Sequence, residues 1–132
     1  MEVAVTNYGC AILSIMVPDK NGKYANVILG HDSIEHVINS PEPFLSTTIG
    51  RYGNRIAKGK FTLFGEEHEL TINNGPNSLH GGPTGFHARV WDAVQIDEST
   101  VVSQVNDCSF VGGSAVFDSQ CIYFVFQPYS YR

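Results

Sequence analysis

The sequence predicts an all-β fold, an antiparallel β-sandwich, on three observations. Apolar segments are short, and several keep a period of two: Phe61 and Leu63 alternate with Lys60 and Thr62, and Leu70 and Ile72 with Glu69 and Thr71. A half-buried antiparallel strand demands that period, because successive side chains face opposite sides of the sheet. Glycine- and proline-containing turns separate these segments at close intervals. No stretch carries the pattern of a long amphipathic helix, and no internal repeat is visible.

The elements follow in order. Residues 2–17 read as strand, turn, strand, broken at Asn7-Tyr8-Gly9; Ala11 to Val17 is apolar and β-branched and is closed by Pro18. Asp19-Lys20-Asn21-Gly22 signals a tight hairpin through its Asn-Gly pair, with Tyr24 to Leu29 as the return strand. Asp32-Ser33-Ile34-Glu35 fits a helix cap, an acceptor side chain followed three residues later by Glu. That helix must be short, since Ser40-Pro41-Glu42-Pro43 stops it. A second hairpin is expected over residues 60–72 with its turn at Gly65. Asn73-Asn74-Gly75-Pro76 is a loop, and a strand is expected from Phe86 to Val94 around Trp91. Cys121 to Phe126 is an apolar, uncharged run that would be a buried strand inside a sheet and an aggregation hazard if exposed.

Composition narrows the function. The 132 residues suit one domain or part of a larger one, with a net charge of -5 and a pI of about 5.4. Eight basic residues without a dense run argue against nucleic acid and against an anionic membrane surface as partner. No apolar run approaches the ~20 residues of a membrane span, and no secretory leader is visible at the start. Cys10, Cys108 and Cys121 are odd in number and far apart, without metal-ligand spacing. They read as reduced thiols used as small apolar residues, and a cytoplasmic setting is expected.

Two polar, glycine-rich stretches carry the candidate chemistry. Asn77-Ser78-Leu79-His80-Gly81-Gly82 places a histidine on a bend, where it is either a proton carrier in a cleft or a loop imidazole bonded to nearby backbone. Gly50-Arg51-Tyr52-Gly53-Asn54-Arg55-Ile56-Ala57-Lys58-Gly59 sets two arginines among glycines. Arg55 is either a clamp whose fork of donors matches paired oxygens or a solvated arginine, and Arg51 has the same two readings with less support. Lys58 reads as a surface lysine. His31, His36, His68 and His87 read as surface or strand-edge residues, and Glu66, Glu67 and Glu69 as solvated charges on a hairpin. No phosphate-binding loop, dinucleotide fingerprint, nucleophile elbow or zinc motif is present.

Taken together, these two stretches resemble the aldose 1-epimerase (galactose mutarotase) family. Asn7-Tyr8-Gly9, Val27-Ile28-Leu29-Gly30, and Gly85-Phe86 followed by Trp91 agree with it, so the similarity spans about residues 3–98. The resemblance implies a large antiparallel supersandwich that binds a free hexose, galactose or glucose, in an open cleft and interconverts its α and β anomers without a cofactor. By motif, Asn54 and Arg55 would hydrogen-bond sugar hydroxyls, and His80 would be the first of two active-site histidines, near the ring oxygen. In the family the second histidine, a sugar-binding aspartate and the glutamate base lie further along a longer chain, and this sequence ends before them. The expected division is residues 1–100 as the N-terminal part of such a sandwich and 101–132 as a divergent tail; the start, too, falls later than is usual for the family. Weak or absent mutarotase activity is therefore expected of the chain alone. The competing expectations are a non-catalytic carbohydrate-binding module, a non-functional fragment, and specificity for a phosphorylated sugar, which the arginines permit but the second motif fits less well.

Overall fold

The computed structural model describes residues 1–111 and 114–125. It is all-β and antiparallel, with one short helix. Strands β1 (Glu2–Val5), β2 (Ile12–Pro18) and β3 (Tyr24–Asn26) form one sheet in that order. After helix α1 (Ile34–Asn39) come β4 (Arg55–Ile56), β5 (Lys60–Leu63), β6 (Glu66–Glu69) and β7 (Ser78–Leu79), in two ribbons that pair β4 with β7 and β5 with β6. Strands β8 (Asp92–Asp97), β9 (Thr100–Val111) and β10 (Ser114–Val125) make the second three-stranded sheet, with β9 in the middle.

The core joins the two larger sheets through the segment between β1 and β2. Cys10, Phe86, Trp91 and Val105 are buried in one cluster. The backbone around Gly9 is zipped to two loops at once: Gly9 donates to Arg89 C=O at 2.7 Å, Trp91 to Asn7 C=O at 2.8 Å, and Thr48 to Gly9 C=O at 2.8 Å. Gly9 has φ +62°, and a Cβ there would stand 2.3 Å from His87 C=O, so only glycine fits this crossing. Trp91, 1% exposed, meets Phe86 edge to face at 5.6 Å and gives its indole N–H to Phe86 C=O at 3.2 Å. That bond removes the cost of burying a polar atom with the ring. Cys10 is a free, buried thiol; burial pushes its pKa up, while Ser103 and Thr48 pull it back. The apolar role expected of it holds, whereas the side chains of Cys108 and Cys121 lie outside the described residues, as does the burial of the run from Cys121 to Phe126.

Several boundaries differ from expectation. The first hairpin is not a tight Asn-Gly turn: Asp19 N–H donates to Lys23 C=O, and the Asp19 carboxylate accepts from the N–H groups of Asn21 and Lys23. That aspartate caps a wider loop in which only Gly22 takes positive φ. The return strand stops at Asn26, whose side-chain oxygen accepts from Ile15 and Ile28 N–H in place of the ladder. The cap of α1 is Ser33, whose hydroxyl accepts from His36 N–H at 3.2 Å, and Asp32 instead pairs with the His36 ring. In the second hairpin the return strand is Glu66–Glu69, with Phe61 opposite His68. Glu67 and Glu69 share Lys60, at 3.3 and 3.5 Å. The strand expected from Phe86 is a 3-10 turn over Phe86–Ala88, and β8 begins after Trp91. The buried Phe86–Trp91 pair needs that tight turn to place both rings in one cluster. Among the described residues, no helix is long and apolar enough to cross a membrane.

Candidate functional site

The two glycine-rich stretches meet. Their short strands β4 and β7 pair antiparallel, with Arg55 opposite Leu79 and Ile56 opposite Ser78. Just beyond this ladder, Asn54 and His80 exchange two hydrogen bonds. His80 N–H donates to Asn54 C=O at 3.0 Å, and Asn54 N–H donates to His80 Nδ1 at 2.9 Å. With Nδ1 accepting, the proton of a neutral His80 ring sits on Nε2.

The sequence makes this junction possible through positive φ. Asn54 (φ 69°), His80 (φ 54°), Gly81 (φ 88°) and Gly82 (φ 79°) all lie in the left-handed region. Gly81 is obligatory, since its Cβ would come within 1.9 Å of Gly50 C=O. The loop after β6 then clamps β7 from the other side: Asn73 accepts from Leu79 N–H at 2.6 Å and donates to Leu79 C=O at 3.0 Å.

Arg55 is exposed and held at two points. Nε donates to Asn74 Oδ1 at 2.9 Å, and Nη1 to Asn54 Oδ1 at 3.2 Å. These bonds orient the guanidinium and leave donors of its fork open. Arg55 lines a cavity of about 690 Å³ whose walls include Tyr8, Phe44, Asn74, Leu79 and His87. The Phe44 ring meets the His80 ring edge-on at 4.8 Å and the His87 ring at 4.6 Å. Asn54, Arg55 and His80 are thus neighbours; Arg55 lines the cavity itself, and His80 reaches its wall through the Phe44 ring. Arg51 stacks on Phe86 at 5.6 Å, and Lys58 is exposed, as expected of a surface lysine.

His87 corrects the expectation of a surface histidine. It is 5% exposed, buried by the 3-10 turn that follows Gly85. Burial, and then the nearby His80, lower its pKa, so the neutral ring is favoured. Its Nδ1 is buried without a hydrogen-bond partner. The sequence signal was weak: a histidine directly after Gly85-Phe86, in a segment that reads as strand. Phe44 carried no signal, because only packing places it between two imidazoles. Among the described residues no group of histidines, cysteines and carboxylates could hold a metal ion. A second hollow, of about 640 Å³ between β1 and the β8–β9 hairpin, has Glu2 and Glu98 as its ionisable side chains and gathers no comparable set.

Comparison with known proteins bears on the family and the fold. The aldose 1-epimerase family model matches residues 1–110. A bovine galactose mutarotase is 41% identical over 106 residues, 80% of this chain and 31% of that protein. An aldose 1-epimerase of Escherichia coli is 37% identical over 102 residues, 77% and 29% of the two chains. Among solved structures, an aldose epimerase homologue from C. elegans superimposes with a TM-score of 0.74 at 32% identity, covering 80% of this chain and 32% of that one. Galactose 1-epimerase from Lactobacillus acidophilus gives 0.65 at 31% identity, covering 80% and 30%. The chain therefore spans about a third of the length of the relatives it matches.

Proposed function

Because the chain belongs to the aldose 1-epimerase family, we propose that the cavity beside Asn54, Arg55 and His80 takes a free hexose and that His80 serves its anomerisation. The observation that carries this reading is the reciprocal Asn54–His80 pair, which fixes an Nε2–H donor beside an oriented guanidinium. Anomerisation opens the ring by giving a proton to the ring oxygen while a base takes the anomeric hydroxyl proton. The C1–C2 bond turns, and the ring closes on the other carbonyl face. Two proton carriers on opposite sides are needed, and each works best with a pKa near its task. His80 is proposed as the contact to the ring oxygen, with Asn54 and Arg55 holding hydroxyls by charge-assisted and neutral hydrogen bonds.

Asn54, Arg55 and His80 would supply sugar contacts and one proton carrier of this chemistry. Polarimetry on freshly dissolved α-D-galactose and α-D-glucose tests the rate, and heteronuclear NMR titration tests binding. Binding that is lost in His80→Ala is the expected result, and the rate then decides what the site does. A rate well above the blank that disappears in His80→Ala would make the chain an enzyme by itself. Saturable binding with no mutarotation at any protein concentration would make it a carbohydrate-binding module, and no binding would end the hexose reading.

A further inference from the structure

We propose that His87 is a second imidazole of the hexose cleft, accepting a sugar hydroxyl through Nε2 opposite the Nε2–H donor of His80. The proposal rests on the hexose reading above and adds to it a residue and a polarity. His87 shares the cavity wall with Arg55 and Asn74, and its ring lies on the same phenyl group as that of His80. Phe44 therefore touches both imidazoles, and His87 and Phe44 line the cavity.

The two rings are set up as opposites. His80 accepts at Nδ1 from Asn54 N–H, so its proton is on Nε2. The Nδ1 of His87 makes no hydrogen bond, and two backbone carbonyls lie with it around Gly85. A Cβ built on Gly85 would meet Gly50 C=O and His80 C=O at 2.8 Å each and His87 Nδ1 at 3.2 Å, so the two carbonyls and the nitrogen converge on the bare face of that glycine. Carbonyl dipoles near a buried ring nitrogen favour the tautomer with its proton there over one with a lone pair there, and a neutral ring protonated at Nδ1 carries its lone pair on Nε2. Because Nδ1 is the buried edge, the ring meets the cavity by its other edge. A neutral acceptor beside a neutral donor suits a polyol, each of whose hydroxyls both gives and takes a hydrogen bond.

Long-range ¹H–¹⁵N correlation of the imidazole rings of the intact chain at neutral pH reads the tautomers directly. Expected are Nε2–H for His80 and Nδ1–H for His87, with both rings shifting as D-galactose is added. A His87 ring protonated at Nε2 overturns the proposal. Galactose shifts at His80 without any at His87 overturn it while leaving the hexose reading intact; no shift at either ring removes both. In a second arm, H87Q keeps an acceptor near the Nε2 position and holds galactose affinity within about threefold, whereas H87F weakens it about tenfold, the loss of one hydrogen bond to a buried partner. Unchanged affinity in H87F also overturns the proposal.

Discussion

A histidine whose ring is pinned by a backbone N–H is a different reagent from one on a mobile loop, and at His80 the pin is Asn54. The backbone that makes this contact is the left-handed run His80-Gly81-Gly82, wedged against Gly50 C=O. Replacing Gly81 with Ala adds a methyl that cannot fit and a φ that L-residues resist; a loss of at least about 2 kcal/mol is expected from the urea midpoint, together with loss of galactose binding. His87 gives a pH dependence. Its folded pKa lies below the ordinary value, so an unfolded chain takes up a proton on this ring more readily than the folded one. Stability is therefore undiminished above the ordinary histidine pKa of about 6.5 and declines as pH falls through that value towards the lower folded one. The urea midpoint should drop between neutral pH and mildly acidic pH in the wild-type chain, and the drop should be smaller in His87→Phe. An equal drop in both proteins would place its source elsewhere.

At the scale of elements, the site hangs on two of the shortest strands in the molecule. β4 and β7 contribute two residues each, so their pairing needs outside support. Asn73 provides it by closing two hydrogen bonds on Leu79. Asn73→Asp leaves an acceptor facing Leu79 C=O, and a loss of about 1–3 kcal/mol is expected, with galactose affinity falling in step because His80 follows Leu79 directly. The β5–β6 hairpin offers a test of opposite sign. Its two-residue turn, Phe64-Gly65, has positive φ at both positions, 51° and 85°, and Phe64 is 97% exposed. Asparagine tolerates that conformation better than phenylalanine and is favoured in such turns. Phe64→Asn should raise the thermal midpoint by about half to one kcal/mol of stability without touching sugar binding.

The whole molecule is a set of small antiparallel sheets around a core that centres on Trp91. Large-to-small substitution there, Trp91→Ala, removes the ring that joins the 3-10 turn to the second sheet; a loss of about 3–5 kcal/mol is expected from the urea midpoint, a large share of the stability of an ordinary domain. The outer face of β8 is different. Val94 is 59% and Ile96 61% exposed, on a strand with no buried residue. Exposed apolar side chains on an edge strand promote association. Val94→Lys with Ile96→Lys should lower the association seen by analytical ultracentrifugation while leaving the tautomers of His80 and His87 unchanged.

Local chemistry made much of this legible in the sequence. Period-two patterning and glycine-bounded turns specify antiparallel strands because side-chain alternation and positive φ are properties of a few adjacent residues. The shared site of Asn54, Arg55 and His80 was legible in another way: their two motifs resemble one family, and that resemblance, not local chemistry, implied that they act together. Tertiary structure alone decided what depends on neighbours distant in the chain. Phe86 enters a turn rather than a strand because it and Trp91 pack together on Cys10 and Val105, which lie far off in the chain. His87 is buried because the Gly85 turn folds it against Phe44, more than forty positions earlier in the chain. Burial and the company of a second imidazole are set by what packs around a residue, and no window of sequence contains that information.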